Sequence, residues 1–183
     1  MADDGSSREN IVLVGFMGSG KSSIGRSIAK KLGFQFVDTD QIVIERSGRT
    51  IARIFEEEGE AAFRLLETRA LESLRFYNRC VIATGGGAVL REENREIMRQ
   101  IGFVVCLTAA EDVIFQRVSR NSKRPLLQTE DPRRTLRELI AARREWYEAA
   151  AQFSLDTTDL NQPEAAELVI AEARKAFSWH RAG

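Results

Sequence analysis

The chain has 183 residues, 43% of them hydrophobic, and its 27 basic and 27 acidic side chains give zero net charge. That length and apolar share fit one compact domain with a sizeable core. Zero net charge argues against a nucleic-acid or membrane-surface binder, which usually carries excess positive charge, and no apolar stretch is long enough to span a bilayer.

Residues 1–9 are polar, lack the apolar core of a signal peptide, and read as a disordered tail. Asn10 to Val14 is a β-branched run that predicts a buried strand. A Gly-rich turn and a helix over Lys21 to Leu32 follow. Phe34 to Val37 is a second strand, closed by Asp38-Thr39-Asp40. Helical pattern resumes over Gln41 to Glu45 and Thr50 to Glu58, then over a longer amphipathic stretch from Glu60 to Phe76. Cys80 to Ala83 is a third strand, closed by Gly85-Gly86-Gly87. A helix over Glu92 to Gln100 leads to a fourth strand, Phe103 to Leu107, and Ala110 to Val118 reads as helix. Arg120 to Asp131 is polar, holds Pro125, and reads as a mobile loop. A helix over Arg133 to Ala150, a short fifth strand over Phe153 to Asp156 and a last helix opened by Pro163 complete the chain.

Alternating strands and helices specify an α/β fold of three layers, α/β/α, with a parallel five-stranded sheet. No repeat or linker divides residues 10–183, which read as one domain. Ligands of such sheets bind outside the carboxyl ends of the strands. The loop after Val14, the acids after Val37 and the glycines after Ala83 should therefore meet on one edge.

Gly15-Phe16-Met17-Gly18-Ser19-Gly20-Lys21-Ser22 satisfies G-x-x-x-x-G-K-[ST] in full, in the required context of a strand before and a helix after. Bare glycines let backbone N–H groups wrap phosphates, and the following helix adds its positive end. Gly18, Ser19, Gly20, Lys21, Ser22 and Ser23 are the expected ATP-binding segment, with Lys21 on the β- and γ-phosphates and Ser22 on Mg²⁺. Asp38 and Asp40 have an ordinary reading as helix caps. Beside a P-loop, two acids can instead divide the work of a phosphotransferase, one holding Mg²⁺ or its waters and one accepting the proton of an attacking hydroxyl. The chain's one histidine, His180, stands far from these motifs, so a general base has to be a carboxylate.

Basic residues are skewed to 22 Arg against 5 Lys. Arg64, with Glu67 one turn on, is either a surface ion pair or an arginine held to grip a substrate anion. Arg133-Arg134 and Arg143-Arg144 fit solvated helix faces equally well. Arg120, Lys123 and Arg124 sit in the polar loop, where cations can close over phosphates. Cys80 and Cys106 lie in apolar runs without metal-ligand neighbours, as buried thiols of a reducing cytosol do.

Together these motifs resemble those of shikimate kinases: GFMGSGKSSIGR, then DTD, then Ile54, Phe55, Phe63, Arg64 and Glu67, then GGGAV, RPLL, and Arg143 with Tyr147. The resemblance runs from Ile11 to about Asn161. It implies a nucleoside-monophosphate-kinase-like P-loop NTPase fold, with substrate-binding helices over about 39–77 and a lid over about 120–131. It implies MgATP-dependent phosphorylation of the shikimate 3-hydroxyl, on the route to chorismate and aromatic amino acids, by a cytoplasmic monomer whose partners are ATP and shikimate. By the same resemblance Asp40 is the shikimate-binding base and Asp38 the acid near Mg²⁺. Arg64 and Arg143 grip the substrate carboxylate, and Gly85, Gly86 and Gly87 line its site. Arg124 touches the transferred phosphate, Arg117 packs on adenine, and Phe55, Phe63 and Glu67 form the wall. Where the family commonly has a Pro and an aliphatic residue before the Tyr, this chain has Arg144, Glu145 and Trp146.

Two other readings share the P-loop: a kinase of another sugar acid such as gluconate, and a non-catalytic kinase-like module. The first lacks a reason for Arg64, Arg143 and three glycines together; the second should have lost Lys21, Asp40 or Arg124.

Overall fold

The computed structural model of the protein describes residues 8–119 and 130–178. Most of the loop expected as a lid, with Arg120, Lys123 and Arg124, lies outside the described residues, as does His180.

Five parallel strands, β1 (Ile11–Val14), β2 (Gln35–Asp38), β3 (Cys80–Ala83), β4 (Phe103–Thr108) and β5 (Phe153–Asp156), form one sheet in the order β2-β3-β1-β4-β5. The helices are α1 (Lys21–Leu32), α2 (Thr39–Ser47), α3 (Ile51–Ser73), α4 (Glu92–Ile101), α5 (Glu111–Ser119), α6 (Pro132–Ala150) and α7 (Gln162–Ala176). The inner strands are apolar and buried, apart from Thr108 at the end of β4, because both faces are covered. The two-residue period then splits them. Ile11 and Leu13 pack with Ile24 and Ile28 of α1 and Val169 of α7, while Val12 and Val14 pack with Leu71 of α3, Ile97 of α4 and Ile114 of α5.

Several element boundaries moved relative to the sequence reading, and two of the helix starts show why. α2 begins at Thr39 because the Asp38 carboxylate caps it, accepting from the Asp40 N–H at 3.1 Å. α6 begins at Pro132, capped by Asp131. The predicted break between residues 58 and 60 is present: Gly59, at φ 81° and ψ 177°, interrupts α3 in a conformation essentially reserved for glycine. The break lets α2 and α3 close over their own small core of Val43, Ile54, Phe63 and Ala70.

At the opposite edge, fully buried Asn10 holds three strand beginnings together. Its amide donates to the Tyr77 and Ile101 carbonyls, each at 2.8 Å, and its oxygen accepts from the Cys80 N–H at 2.9 Å. Asn10→Ala strands all three groups, and each orphaned buried partner costs about 1–3 kcal/mol. A loss of roughly 2–4 kcal/mol is expected in urea unfolding; a loss below ~1 kcal/mol would contradict this role.

The topology positions the site. Adjacent strands β1 and β3 send their connections to opposite faces of the sheet, α1 one way and α4 the other. A crevice opens between such strands at their carboxyl ends, and the β2 register, with Asp38 level with Ala83, brings the acids to the same edge.

Candidate active site

The loop from Gly15 to Gly20 needs its glycines. Gly15, Gly18 and Gly20 have φ of 143°, 81° and 100°, and a Cβ on Gly15 would strike the Leu107 carbonyl. α1 then starts with no acidic residue in its first turn and no side-chain cap, so its N-terminal amides face an open cleft. Lys21 Nζ folds back on the loop, donating to the Gly15 carbonyl at 2.7 Å and the Phe16 carbonyl at 3.0 Å. The cleft, of about 480 Å³, is lined by Gly18, Gly20, Lys21, Ser22 and Ser23, by Asp38 and Asp40, by Gly85 and Gly86, and by Arg117. The three expected clusters do converge. Ser19 is the exception among the expected phosphate-binding residues: it is fully buried beneath the loop and does not line the cleft.

Ser22 Oγ donates to Asp38 Oδ2 at 3.3 Å. A hydroxyl and a carboxylate facing each other beside a phosphate loop are hard oxygen donors of the kind Mg²⁺ takes, and Mg²⁺ characteristically uses few protein ligands and completes its shell with phosphates and water. Among the described residues no cluster of three or more acidic, His or Cys side chains could hold a metal alone. Arg117 donates to the Gly18 and Thr157 carbonyls at 3.3 and 3.4 Å, against the loop that precedes α1.

Beside the cleft, α3 and α6 pack charged and aromatic side chains against the Gly85–Gly87 segment. Arg64 Nη1 donates to Glu67 Oε2 at 2.9 Å, and Nη2 donates to Glu60 Oε1 at 2.9 Å. This is not a surface ion pair: the Arg64 side chain is 15% exposed and that of Glu67 only 1%. Burial pushes the Glu67 carboxyl above its usual range, Arg64 and Arg143 pull it down, and Asp40 pushes it up; the net direction is upward. The Arg64 guanidinium carbon lies over the Phe63 ring, 5.2 Å from its centroid, and the Phe55 ring is 4.9 Å from Phe63 between centroids.

Arg143 and Arg144, equivalent in sequence, part company on α6. Arg143 faces inward, 5.7 Å over the Phe16 ring and beside the Tyr147 hydroxyl one turn on. Arg144 faces solvent, its side chain 79% exposed, 3.7 Å from Glu148. Trp146 is on the outer side as well, so its bulk does not enter the site.

The glycine triplet has a cause beyond the one expected. A Cβ on Gly85 would sit 2.5 Å from Glu67 Oε1 and 2.7 Å from Asp40 Oδ1, and one on Gly87 would collide with the Arg64 guanidinium. The bare backbone makes room for the protein's own charged groups first. Tyr147 completes the arrangement: its hydroxyl donates to the Gly86 carbonyl at 2.5 Å, and burial raises its pKa to about 12, so it stays a donor.

Met17, Thr84, Thr157, Leu160 and Gln162 also line the cleft. Sequence reading did not name them as site residues: Met17 is an unspecified position inside the phosphate-loop motif, Thr84 stands directly before the glycines, and Thr157, Leu160 and Gln162 belong to no motif.

The shikimate kinase family model matches residues 17–174. A shikimate kinase of Thermodesulfovibrio yellowstonii is 46% identical over 164 residues, covering 90% of this chain and 94% of that one. The solved structure of a shikimate kinase from Acinetobacter baumannii in complex with shikimate superposes with a TM-score of 0.83 at 39% identity, covering 94% of this chain and 95% of that one. A gluconokinase from Sinorhizobium meliloti shares the fold, with a TM-score of 0.61 over 93% of this chain and 97% of that one, at only 18% identity.

Proposed function

The chain belongs to the shikimate kinase family, and from that membership we propose how its own residues divide the reaction. The reaction is transfer of the ATP γ-phosphate to the 3-hydroxyl of shikimate, giving shikimate 3-phosphate and ADP. The observation that carries the proposal is a cleft lined by an anion-binding loop and Asp40, with Arg64 packed against Gly87 and Arg143 over Phe16 beside it.

In this reading the loop amides, Lys21 and the α1 N-terminus bind the β- and γ-phosphates, Ser23 adds a hydroxyl to the same anion site, and Arg117 packs on the base. Ser22 and Asp38 hold Mg²⁺, which neutralises phosphate charge when bound. Arg64 and Arg143 clamp the shikimate carboxylate, for which guanidinium forks are the fitting partners. With that end fixed, Asp40 orients the 3-hydroxyl and accepts its proton as the oxygen attacks the γ-phosphorus and the ADP oxygen leaves. Phe55 and Phe63 wall the ring. Arg124, outside the described residues, is assigned to the transferred phosphate on its sequence position alone. The reading takes the protein as a cytoplasmic monomer of one domain over 10–183, and its zero net charge fits small-molecule partners better than nucleic acid or membrane. Among the described residues no helix is long and apolar enough to cross a membrane.

The arginine assignment is tested by exchange to lysine, which keeps the charge and loses the fork. Arg64→Lys and Arg143→Lys should each raise KM for shikimate by about tenfold or more, the scale of one charged hydrogen bond, and leave KM for ATP nearly unchanged. Arg144→Lys should be mild. A larger effect at Arg144 than at Arg143 would overturn the assignment.

A further inference from the structure

Glu67 has more to explain than its pairing with Arg64. It is fully buried, and only one of its oxygens is used by Arg64. The other, Oε1, has no hydrogen-bond partner among the described residues. It points at the place where Gly85 lacks a side chain, and Asp40 Oδ1 points at that same place. Two carboxyl groups, from α3 and α2, are thus turned towards each other across a bare Cα, in a pocket that Glu67 shares with no solvent.

We infer that Glu67 is a neutral acid in the free enzyme, accepting from Arg64 through Oε2 and donating its Oε1 proton to the Asp40 carboxylate. This rests on the shikimate reading of the site and adds a positioning residue to it. Two anions facing each other here would repel, whereas a proton between them makes the contact a charge-assisted hydrogen bond. That bond fixes the Asp40 carboxyl plane against which the substrate hydroxyl is oriented. The neutral state also serves Arg64. An ionised Glu67 would join Glu60 in cancelling the guanidinium charge, while a neutral one holds the guanidinium by hydrogen bond and leaves that charge for the substrate carboxylate.

The charged groups facing Glu67 are Arg64 on α3, Asp40 on α2 and Arg143 on α6; Glu60 reaches only Arg64. Burial and Asp40 favour the proton, the two arginines oppose it, and the upward direction agrees with the geometry. A carboxyl whose folded pKa is raised holds a proton that the unfolded chain has given up. Folding stability therefore falls as pH rises from the usual value of 4.5 through the folded value.

The test compares wild type, E67Q and E67A as full-length proteins. Gln keeps one acceptor for Arg64 and one donor for Asp40 but cannot ionise. Three results are expected. E67Q retains kcat/KM for shikimate at least about tenfold above E67A, whose removal of the side chain orphans a charged hydrogen bond. KM for shikimate rises with pH in wild type and stays flat in E67Q. Thermal stability measured against pH loses the downward slope in E67Q, and the infrared band of a protonated buried carboxyl in free wild type disappears. An E67Q as impaired as E67A, with no protonated-carboxyl band in wild type, would show an anionic Glu67 and overturn the inference. The infrared and stability readings need no substrate, so they decide Glu67 even if shikimate were not the acceptor, a failure that would instead show as absent shikimate turnover in wild type.

Discussion

Replacing Asp40 with Asn should lower kcat by about 10²–10⁴-fold, the usual contribution of a positioned general base, while KM for ATP changes little. The side chain projects from the first turn of α2 into the middle of the cleft, and its neighbour Asp38 is already occupied in capping that helix and in the contact with Ser22. Asn keeps the shape and can still accept a hydrogen bond from the substrate hydroxyl, but it cannot take the proton. Nothing nearby can substitute. Glu67 already shares the same pocket and is screened from solvent, Tyr147 remains protonated up to about pH 12, and the chain's single histidine is His180. Steady-state rates with saturating ATP and varied shikimate measure the effect. A loss of less than about tenfold would mean that Asp40 orients the hydroxyl without accepting its proton.

Lys21→Ala should remove most of the remaining phosphate charge compensation supplied by a side chain in the loop, costing about 10²–10³-fold in kcat, the scale for deleting one preorganised electrostatic contact. The fold should survive. Lys21 is only half-buried, and its two hydrogen bonds go to carbonyls of a loop whose shape is already set by Gly15, Gly18 and Gly20. A loss of ~1 kcal/mol would move Tm by roughly 2–4 °C in a domain of this size. A melting curve and a turnover assay on the same preparation separate the two effects. Near-normal turnover would sink the assignment of this loop to the transferred phosphates; a collapsed Tm would show that the lysine is structural.

Much of the arrangement was legible because its causes are local. The phosphate loop is a contiguous motif between a β-branched run and a helix, and Gly59 announced the break in α3 because few other residues could stand there. Asp38 could not be assigned to capping or catalysis from sequence, and the structure shows why: the same carboxylate caps α2 with one oxygen and faces Ser22 with the other. The choice between Arg143 and Arg144 was hidden because neighbours on a helix look alike in sequence yet lie about 100° apart around its axis; the buried Tyr147, four residues after Arg143, fixes which one faces in. The glycines were placed at the cleft, which Gly85 and Gly86 line, but part of the reason for them was out of reach. Their bareness accommodates Glu67, Asp40 and Arg64, contacts between residues far apart in the chain that no local pattern encodes. For the same reason Thr157, Leu160 and Gln162, which reach the cleft only because β5 lies at the sheet edge beside β4, had no signal to find.

Specificity at the acceptor end is the centre of this account, because the fold itself is shared with a gluconokinase at 18% identity. The most direct measurement is ADP release from ATP by the full-length protein, run in parallel with shikimate, gluconate and a nucleoside monophosphate as acceptors. Saturable release with shikimate alone, with shikimate 3-phosphate as the product, is the predicted result. Turnover of gluconate or a nucleoside monophosphate at a comparable kcat/KM, or none with shikimate, would contradict it.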